Sequence, residues 1–445
     1  MTTKKKLVII GGGPAGVAAA SAADTSSTDV TLISNAPLGG RAGWHSLLPS
    51  KVLLTASDLL HHAGVDTPAY AEMVTEIQRV ADQYHGSLQG TLEARGVQIR
   101  MGTARFTGPH ALEVTTDAGE TQSLSFDYAL VASGSSPIFP PGLKPDGQRI
   151  WAPRFVKHRH TMPERIIVVG GGVTGTEFVY AFNSLGVQVT WLVDEFGVLP
   201  PFARDITHSL VDALLARGVE LVEGVPVAEL KSAGAGVSAT LKDGRAFTAD
   251  EAFIAIGRRP DLANLNLEAA GFAGGLRALA VDEYARTAVD HIYAAGDVTG
   301  APLVVNKAAA QAWTGARHAT GVQTPPLKPA TWVEAVYTHP QVAQVGITAE
   351  RAAATGRPAN VQRVEAQEAL KSLLVSDEAG FVTLVSDPET GRVLGGSAVG
   401  VHAADLLAPI ALAIGMGATV SDLAAIFPAH PTLSELAFEV ARRQV

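Results

Sequence analysis

Two distant parts of the chain repeat one pattern of apolar and polar positions. Residues 7–10 and 166–169 are apolar runs, and each is followed by three glycines and an Ala-rich or amphipathic stretch. Such runs predict buried strands, and the stretches after the glycines predict helices. A second strand-like run follows at 29–34 and at 188–193, with the same offset of 159 residues that relates Gly11 to Gly170. The pattern therefore predicts two βαβ units.

The last part of the chain follows a different pattern. The Pro-rich segment 324–329 predicts a stiff linker. Beyond it, residues 381–385 and 393–399 predict two strands joined by a turn at 387–391, and residues 405–416 predict a helix. We therefore expect a separate C-terminal unit that mixes strands and helices.

The glycines of each copy have the spacing Gly-x-Gly-x-x-Gly, which is typical of dinucleotide binding when it joins a strand to a helix. The first glycine allows a tight turn, the second lets the backbone approach a pyrophosphate, and the third lets the helix pack on the strand. The helix N-terminus then attracts the phosphates. Turns that serve packing alone are the alternative, which the duplicated context disfavours. The two sets are Gly11, Gly13 and Gly16, and Gly170, Gly172 and Gly175.

Two dinucleotide sites in one chain indicate two dinucleotides held against each other. This is the layout for passing a hydride from a nicotinamide to a flavin.

Composition narrows the chemistry further. The chain has 445 residues, of which 47% are apolar and 17% charged, so it is an ordinary globular protein of about three domains. It has no cysteine, which excludes disulfides, thiolate metal sites, cysteine-held iron–sulfur clusters and a cysteine nucleophile. The net charge of -9 and the lack of a long basic run argue against nucleic acid as a partner.

Two segments imitate membrane or export signals. Lys4–Lys6 and the apolar run after them resemble the start of a signal peptide, but the run ends at the first glycine and is shorter than an h-region. The apolar stretch 406–420 contains Pro409 and is too short to span a bilayer. We therefore expect a cytoplasmic protein with no transmembrane segment.

Further motifs carry a resemblance to a known family. They are Gly39-Gly40 with Pro49-Ser50-Lys51, and the segments 132–134 (ASG), 255–260 (AIGRRP), 292–297 (IYAAGD) and 430–435 (HPTLSE). In this order the chain resembles the two-dinucleotide-binding-domain flavoproteins, the group of dihydrolipoamide dehydrogenase, glutathione reductase and mercuric reductase. The resemblance covers nearly the whole chain.

The resemblance implies an α/β fold with two Rossmann-like dinucleotide-binding domains and a C-terminal α+β dimerisation domain. An FAD-binding domain would comprise residues 1–150 and 285–330, an NAD-binding domain residues 151–284, and the dimerisation domain residues 331–445. The protein would be a homodimer.

The resemblance also implies which residues bind FAD. Asp297 would accept a hydrogen bond from a ribityl hydroxyl, and an N-cap on the next helix is its alternative role. The acid that relatives use for the adenosine ribose is replaced by Ser34, with Asn35 after it, so we expect weaker ribose contacts. The full set comprises Gly11, Gly13, Pro14, Ala15, Gly16, Ser34, Asn35, Gly40, Arg41, Lys51, Ser133, Gly134, Gly296 and Asp297.

For the nicotinamide cofactor, the decisive position is Asp194, which lies 24 residues past Gly170. An acid at this spacing binds a ribose and repels a 2′-phosphate, so we expect NADH to be preferred over NADPH. A solvated loop acid is the alternative. The NAD set comprises Gly170, Gly172, Val173, Thr174, Gly175, Glu177, Asp194 and Gly257.

Two positions decide where the electrons go. Relatives that reduce disulfides have cysteines where this chain has Ala42 and Leu47. Reduced flavin therefore cannot pass electrons to an enzyme disulfide, and mercuric ion reduction is excluded too. The resemblance also implies an ion pair between Lys51 and Glu177 beside the flavin and the nicotinamide, which would tune the flavin potential and position the nicotinamide for hydride transfer.

The segment between the missing cysteines leaves alternatives open. His45 could protonate a reduced acceptor, and Trp44 could stack on a planar one. Alternatively, Trp44, His45 and Ser46 could fill the space vacated by the missing sulfur atoms. Arg41 could pair with the FAD pyrophosphate or with an anionic substrate.

Histidines are the remaining candidates. The resemblance implies a dyad in which His430 acts across the dimer interface and Glu435 holds its ring; it could protonate an acceptor or merely support the interface. Four other histidines have no companions at ligand spacing, so we expect surface positions and no metal. They are His61, His62, His158 and His160.

These observations predict an FAD-dependent NADH oxidoreductase that passes electrons directly from flavin to a small acceptor, such as a quinone. The alternative is a flavin-bearing subunit or redox sensor that acts on a protein partner, such as a ferredoxin, a lipoyl carrier or a dehydrogenase complex.

Overall fold

The computed structural model describes residues 4–63, 70–159, 161–375 and 379–445, and of 58–63 it describes the backbone alone. The strands, in chain order, are β1 (Lys5–Ile10), β2 (Thr28–Ser34), β3 (Gln98–Met101), β4 (Thr103–Gly108), β5 (Ala111–Thr115), β6 (Thr121–Ser125), β7 (Tyr128–Val131), β8 (Ser135–Pro137), β9 (Ile150–Trp151), β10 (Arg165–Val169), β11 (Gln188–Leu192), β12 (Glu220–Val222), β13 (Val227–Ala233), β14 (Gly236–Leu241), β15 (Ala246–Ala249), β16 (Glu251–Ile254), β17 (Arg258–Pro260), β18 (Ile292–Ala294), β19 (Glu334–Val336), β20 (Gln341–Gly346), β21 (Asn360–Glu365), β22 (Phe381–Ser386) and β23 (Val393–Gly400).

The helices are α1 (Pro14–Ala22), α2 (Gly40–His45), α3 (Leu47–Ala63), α4 (Tyr70–Ala94), α5 (Val173–Ser184), α6 (Arg204–Ala216), α7 (Val305–Ala319), α8 (Ala349–Ala354), α9 (Leu370–Leu374), α10 (Ala403–Leu406), α11 (Ala408–Met416), α12 (Val420–Ala424) and α13 (Glu435–Arg442). Short 3₁₀ helices lie at Pro153–His158, Leu267–Ala270, Gly296–Thr299, Pro329–Thr331 and Ala366–Glu368.

The first sheet has five parallel strands in the order β18-β7-β1-β2-β3. Leu7 and Ile9 of β1 face a layer that includes α1 and α7, whereas Val8 and Ile10 face the antiparallel sheet β4-β5-β6. Because both faces of the sheet are covered, β1 is apolar at successive positions rather than at alternate ones. The first predicted βαβ unit is confirmed.

The second sheet repeats this architecture in the order β12-β11-β10-β16-β9, again with parallel strands. Ile166 and Val168 pack with α5, and Ile167 and Val169 pack against the antiparallel sheet β13-β14-β15. The second predicted βαβ unit is therefore confirmed, and the sequence repeat corresponds to a structural repeat.

Two short strands cross between the two sheets. β8 leaves the first sheet, β17 returns from the second, and the two strands pair antiparallel. The C-terminal ends of β7 and β16 lead into this crossing region.

The C-terminal unit is an antiparallel sheet in the order β19-β20-β23-β22-β21. Its apolar face packs against α11 and α13. The predicted strands are confirmed as β22 and β23. The predicted turn is closed by Asp387, which accepts the backbone N–H groups of Glu389 and Thr390.

One predicted element in this unit is wrong. The single helix expected over 405–416 is two helices, α10 and α11, which meet at Leu407. Pro409 lies in the first turn of α11, where its missing N–H costs no intrahelical bond, so the proline starts a helix instead of continuing one.

Domain boundaries stay predictions, and the boundary between 150 and 151 falls inside β9, which belongs to the second sheet. In the described ranges no helix is both long and apolar enough to cross a membrane.

Candidate active site

The first glycine turn joins β1 to α1. Gly11 has a φ of +115°, which favours glycine, and a Cβ there would overlap the carbonyl oxygen of Ala132. A Cβ on Gly16 would overlap the carbonyl oxygen of Gly11, so this glycine lets α1 approach the strand. Around Gly13, by contrast, the described part of the chain places no atom within 4 Å of such a Cβ, apart from the adjacent residues. The turn is therefore closed at its first and third glycines and open at its second.

The open glycine leads directly into the helix. Pro14 occupies the first turn of α1, and no side chain caps the helix, so backbone N–H groups near Ala15 and Gly16 face the turn. Gly40 lies against Gly13, because a Cβ on it would come within 2.7 Å of the Gly13 Cα. This cradle fits a pyrophosphate group.

The second glycine turn has the same geometry. A Cβ on Gly170 would overlap the carbonyl oxygen of Ala255, and one on Gly175 would overlap that of Gly170. Gly172 is open, and the first residues of α5, Val173 and Thr174, follow it with no side-chain cap. The structure thus has two equivalent dinucleotide cradles.

Asp297 lies just after β18, in the 3₁₀ helix that begins at Gly296. Its carboxylate accepts a hydrogen bond from Ser135 Oγ, and Arg258 Nε lies 3.9 Å from it. The alternative role as N-cap of the next helix is wrong, because the N-cap of α7 is Val304.

Ser34 and Asn35 differ in exposure. The Ser34 side chain is buried and its hydroxyl donates to the carbonyl oxygen of Ala36 at 2.6 Å, whereas Asn35 is exposed. The Ser34 hydroxyl therefore closes a local turn, and ribose binding by either residue stays a prediction.

Asp194 follows β11 at the carboxyl end of the second sheet. It is exposed, and one carboxylate oxygen accepts the backbone N–H of Phe196 at 3.2 Å. This is the edge of an open α/β sheet where dinucleotides bind.

Lys51 and Glu177 form an ion pair next to the second glycine turn, because Glu177 lies two residues after Gly175. Lys51 belongs to α3 and Glu177 to α5, and the ammonium nitrogen lies 2.7 and 2.8 Å from the two carboxylate oxygens. The Glu177 side chain is only 4% exposed and that of Lys51 31%. Removing one member of such a buried pair would leave the charge of the other uncompensated, which is costly.

The family model described as "Pyridine nucleotide-disulphide oxidoreductase" matches residues 5–312, and the model of its dimerisation domain matches residues 333–441. The chain belongs to this family. A dihydrolipoyl dehydrogenase from Haloferax volcanii is 32% identical over 437 residues, covering 94% of this chain and 92% of that protein. An NAD(P)H dehydrogenase (quinone) from Mycobacterium tuberculosis is 33% identical over 436 residues, covering 94% and 88%.

Solved structures agree. The crystal structure of LpdA from Mycobacterium tuberculosis has a TM-score of 0.95 and 33% identity, and the match covers 99% of this chain and 100% of LpdA. The HOCl-induced flavoprotein disulfide reductase RclA from Escherichia coli has a TM-score of 0.87 at 23% identity, which shows the fold alone.

Membership in the pyridine nucleotide-disulphide oxidoreductase family confirms the resemblance and the fold class. The chain is an oxidoreductase with two nucleotide-binding domains and a C-terminal dimerisation domain, and its cofactors are FAD and NAD(H). The two open cradles fit this pair of dinucleotides.

An alanine and a leucine occupy the two positions at which disulfide-reducing relatives have cysteines. Ala42 lies in α2, Leu47 begins α3 and is exposed, and Ser46 separates the helices. Trp44 donates its indole N–H to the carbonyl oxygen of Leu38 at 3.0 Å, and the ammonium of Lys157 lies 5.8 Å from its ring centroid. These contacts support the space-filling alternative for Trp44.

His45 lies in a positively charged surrounding. Burial lowers the pKa of its imidazole, and four nearby basic side chains lower it further: Lys157, His158, Arg41 and Arg154. Its Nδ1 is buried and has no hydrogen-bond partner among the described residues. The ring is therefore disfavoured as an imidazolium, and a catalytic role stays a prediction.

Arg41 has partners that the sequence does not indicate. Its guanidinium donates to Asp261 at 2.7 Å, to the Ser136 hydroxyl at 2.9 Å and to the Ser135 carbonyl oxygen. The carbonyl oxygen of Asp261 accepts the Ser133 hydroxyl, and its backbone N–H donates to Gly134. The Arg41 hydrogen bonds thus connect α2 to the crossing strands. Gly257 directly precedes one of these strands, β17.

The His430–Glu435 dyad is formed within one chain. His430 Nδ1 lies 2.8 Å from one carboxylate oxygen of Glu435, and the Thr432 backbone N–H donates to the other at 2.8 Å. These two hydrogen bonds, first that of Thr432, lower the pKa of Glu435. The carboxylate therefore orients an imidazole that is 64% exposed in the single chain.

Of the four other histidines, the structure describes the side chain of His158 alone. His158 is exposed, whereas His160 and the side chains of His61 and His62 lie outside the described residues. Within the described ranges no three His, Cys, Asp or Glu side chains group so as to hold a metal ion.

Proposed function

We propose that this protein oxidises NADH and passes the electrons directly to a small conjugated acceptor, most simply a quinone, without a disulfide step. The observation that carries the proposal is the intact Lys51–Glu177 ion pair in a chain that has no cysteine. The relative from Mycobacterium tuberculosis named NAD(P)H dehydrogenase (quinone) supports it.

FAD, when bound, supplies a ring that accepts a hydride and releases electrons to an acceptor. Backbone N–H groups of the two uncapped helices hold the pyrophosphates, at Gly13 and Gly172. Lys51, oriented by the buried Glu177, places a fixed positive charge beside the reacting rings. Asp194 accepts from the ribose and repels a 2′-phosphate, which favours NADH.

His430 is the proposed proton donor to the reduced acceptor, because Glu435 fixes its ring and leaves it accessible. In the proposed homodimer, His430 reaches the flavin of the partner subunit. The family's dimerisation domain is present in the chain and supports this arrangement.

An anaerobic titration with NADH followed by an acceptor panel tests the proposal. We expect prompt bleaching of the flavin, reoxidation by benzoquinones or naphthoquinones, and no turnover with lipoamide or glutathione disulfide. Turnover of a disulfide would overturn the proposal. Bleaching without reoxidation by any quinone would favour the electron-transfer subunit instead.

A further inference from the structure

Glu177 accepts a third hydrogen bond, from a donor in the C-terminal unit. The backbone N–H of Tyr337 donates to the Glu177 carboxylate at 3.1 Å, and the Tyr337 ring centroid lies 4.6 Å from the Lys51 ammonium nitrogen. One residue therefore contacts both members of the ion pair.

The residues before and after Tyr337 in the chain are buried and fix its backbone in place. Val336 ends β19 and is completely buried, and Thr338 is also buried, with its hydroxyl donating to the carbonyl oxygen of Pro340 at 2.7 Å. β19 is paired with β20. The backbone N–H of Tyr337 is thus fixed in direction, while the residue as a whole is 40% exposed.

The Lys51 ammonium has an anion on one side and an aromatic face near it. The carboxylate oxygens of Glu177 provide direct hydrogen bonds, and the quadrupole of the Tyr337 ring attracts the same charge without using a donor. Burial, followed by the Glu177 charge, raises the pKa of the Tyr337 phenol. The phenol therefore stays neutral beside the Lys51 ammonium.

We propose that Tyr337 is a positioning residue for hydride transfer: its ring holds the Lys51 ammonium, and its backbone N–H orients Glu177. The C-terminal unit thereby completes a pair supplied by the two nucleotide-binding parts of the chain. This inference rests on the proposed function, in which that pair lies beside the reacting rings.

The test compares three substitutions in the FAD-loaded protein. Tyr337→Leu and Tyr337→Met remove the aromatic face, whereas Tyr337→Phe keeps it. Trp313→Leu is a matched control, because Trp313 is 41% exposed and the Arg317 guanidinium lies 4.6 Å from its ring centroid, on α7. The readouts are the rate of flavin reduction by NADH in stopped flow and the flavin midpoint potential.

We expect both non-aromatic variants to slow flavin reduction about threefold to tenfold, with a more negative midpoint potential and an unchanged dissociation constant for NADH. Tyr337→Phe and Trp313→Leu should behave as the wild type. FAD content and melting temperature identify a variant that has not folded. If one of the two non-aromatic variants does not fold, the other still tests the inference.

Three results would overturn the inference. If Tyr337→Phe is as slow as Tyr337→Leu, the hydroxyl and not the ring is responsible. If the non-aromatic variants reduce at the wild-type rate while Lys51→Ala is slow, Tyr337 has no positioning role and the proposed function stands. If Lys51→Ala is also unaffected, both proposals fall.

Discussion

Glu177 is buried and both of its carboxylate oxygens accept hydrogen bonds, so we expect the loss of its partner to lower stability in addition to any effect on the proposed catalysis. We predict that Lys51→Met leaves this carboxylate in the interior with the Tyr337 N–H as its remaining donor, destabilising the protein by about 1–3 kcal/mol. The double variant Lys51→Met/Glu177→Gln should recover much of that loss, because the buried charge is gone.

Urea unfolding of both variants measures this difference. Equal stability of the single and the double variant would contradict the prediction.

His45 couples stability to pH. Its pKa is lower in the folded protein than in the unfolded chain, because of burial and the surrounding cations. As the pH falls below about 6.5, the unfolded chain binds the proton first, so the folded state loses stability. We predict that His45→Gln loses less stability than the wild type between about pH 7.5 and pH 5.5.

Melting temperatures at the two pH values provide the check. His208 is exposed on α6, so His208→Gln serves as a control and should show the wild-type difference. A His45→Gln profile parallel to that of the wild type would disprove the assignment.

Residue contacts are predictable from the sequence where a motif specifies them and unpredictable where the fold alone creates them. Lys51 and Glu177 both lie in motifs, and the family resemblance is enough to pair them. Tyr337 and Asp261 carry no such signal. Tyr337 contacts Glu177, which is 160 positions away in the chain, and Asp261 contacts Arg41, which is 220 positions away. Arg258, by contrast, lies within the motif at 257–260 (GRRP), and its guanidinium donates to Ser135.

At the scale of elements, substitutions at different glycines of one turn should have separate effects, on cofactor binding or on the stability of the fold. Gly16 and Gly13 belong to the same turn, but only a Cβ on Gly16 meets other atoms, namely the Gly11 carbonyl. We predict that Gly13→Ala preserves the cofactor-free fold and weakens FAD binding by about tenfold or more, since the pyrophosphate must approach this backbone. Gly16→Ala should instead destabilise the fold itself.

FAD retention on gel filtration and the melting temperature of the cofactor-free protein distinguish the two effects. A Gly13→Ala protein that retains FAD like the wild type would contradict the role of the open glycine.

Elements with an unbroken pattern are the predictable ones. The central strands β1 and β10 each contain a continuous run of four apolar residues, since both faces of their sheets are covered. The helix expected over 405–416 is wrong because an apolar composition continues across the break between α10 and α11, and the break is marked by Pro409 alone.

At the scale of the whole molecule, the proposed dimer makes a complementation prediction. Lys51→Ala and His430→Ala each damage a different half of one site if His430 acts across the interface. Co-expression of the two variants should then restore about a quarter of the wild-type quinone turnover, because half of a random mixture is heterodimer with one intact site of two.

Two affinity tags allow the heterodimer to be isolated and assayed. No recovery in the isolated heterodimer would place His430 at the flavin of its own subunit.

The crossing strands β8 and β17 have a mechanical consequence. They pair at three positions, so sliding one along the other would break their register, whereas a two-stranded ribbon can bend and twist as a unit. Any movement of the second sheet relative to the first must therefore bend or twist this ribbon, and it must also disturb the Lys51–Glu177 contact between α3 and α5. Arg41 bonds to β8 and to Asp261 directly after β17, so the helix beside the first glycine turn is attached to this ribbon.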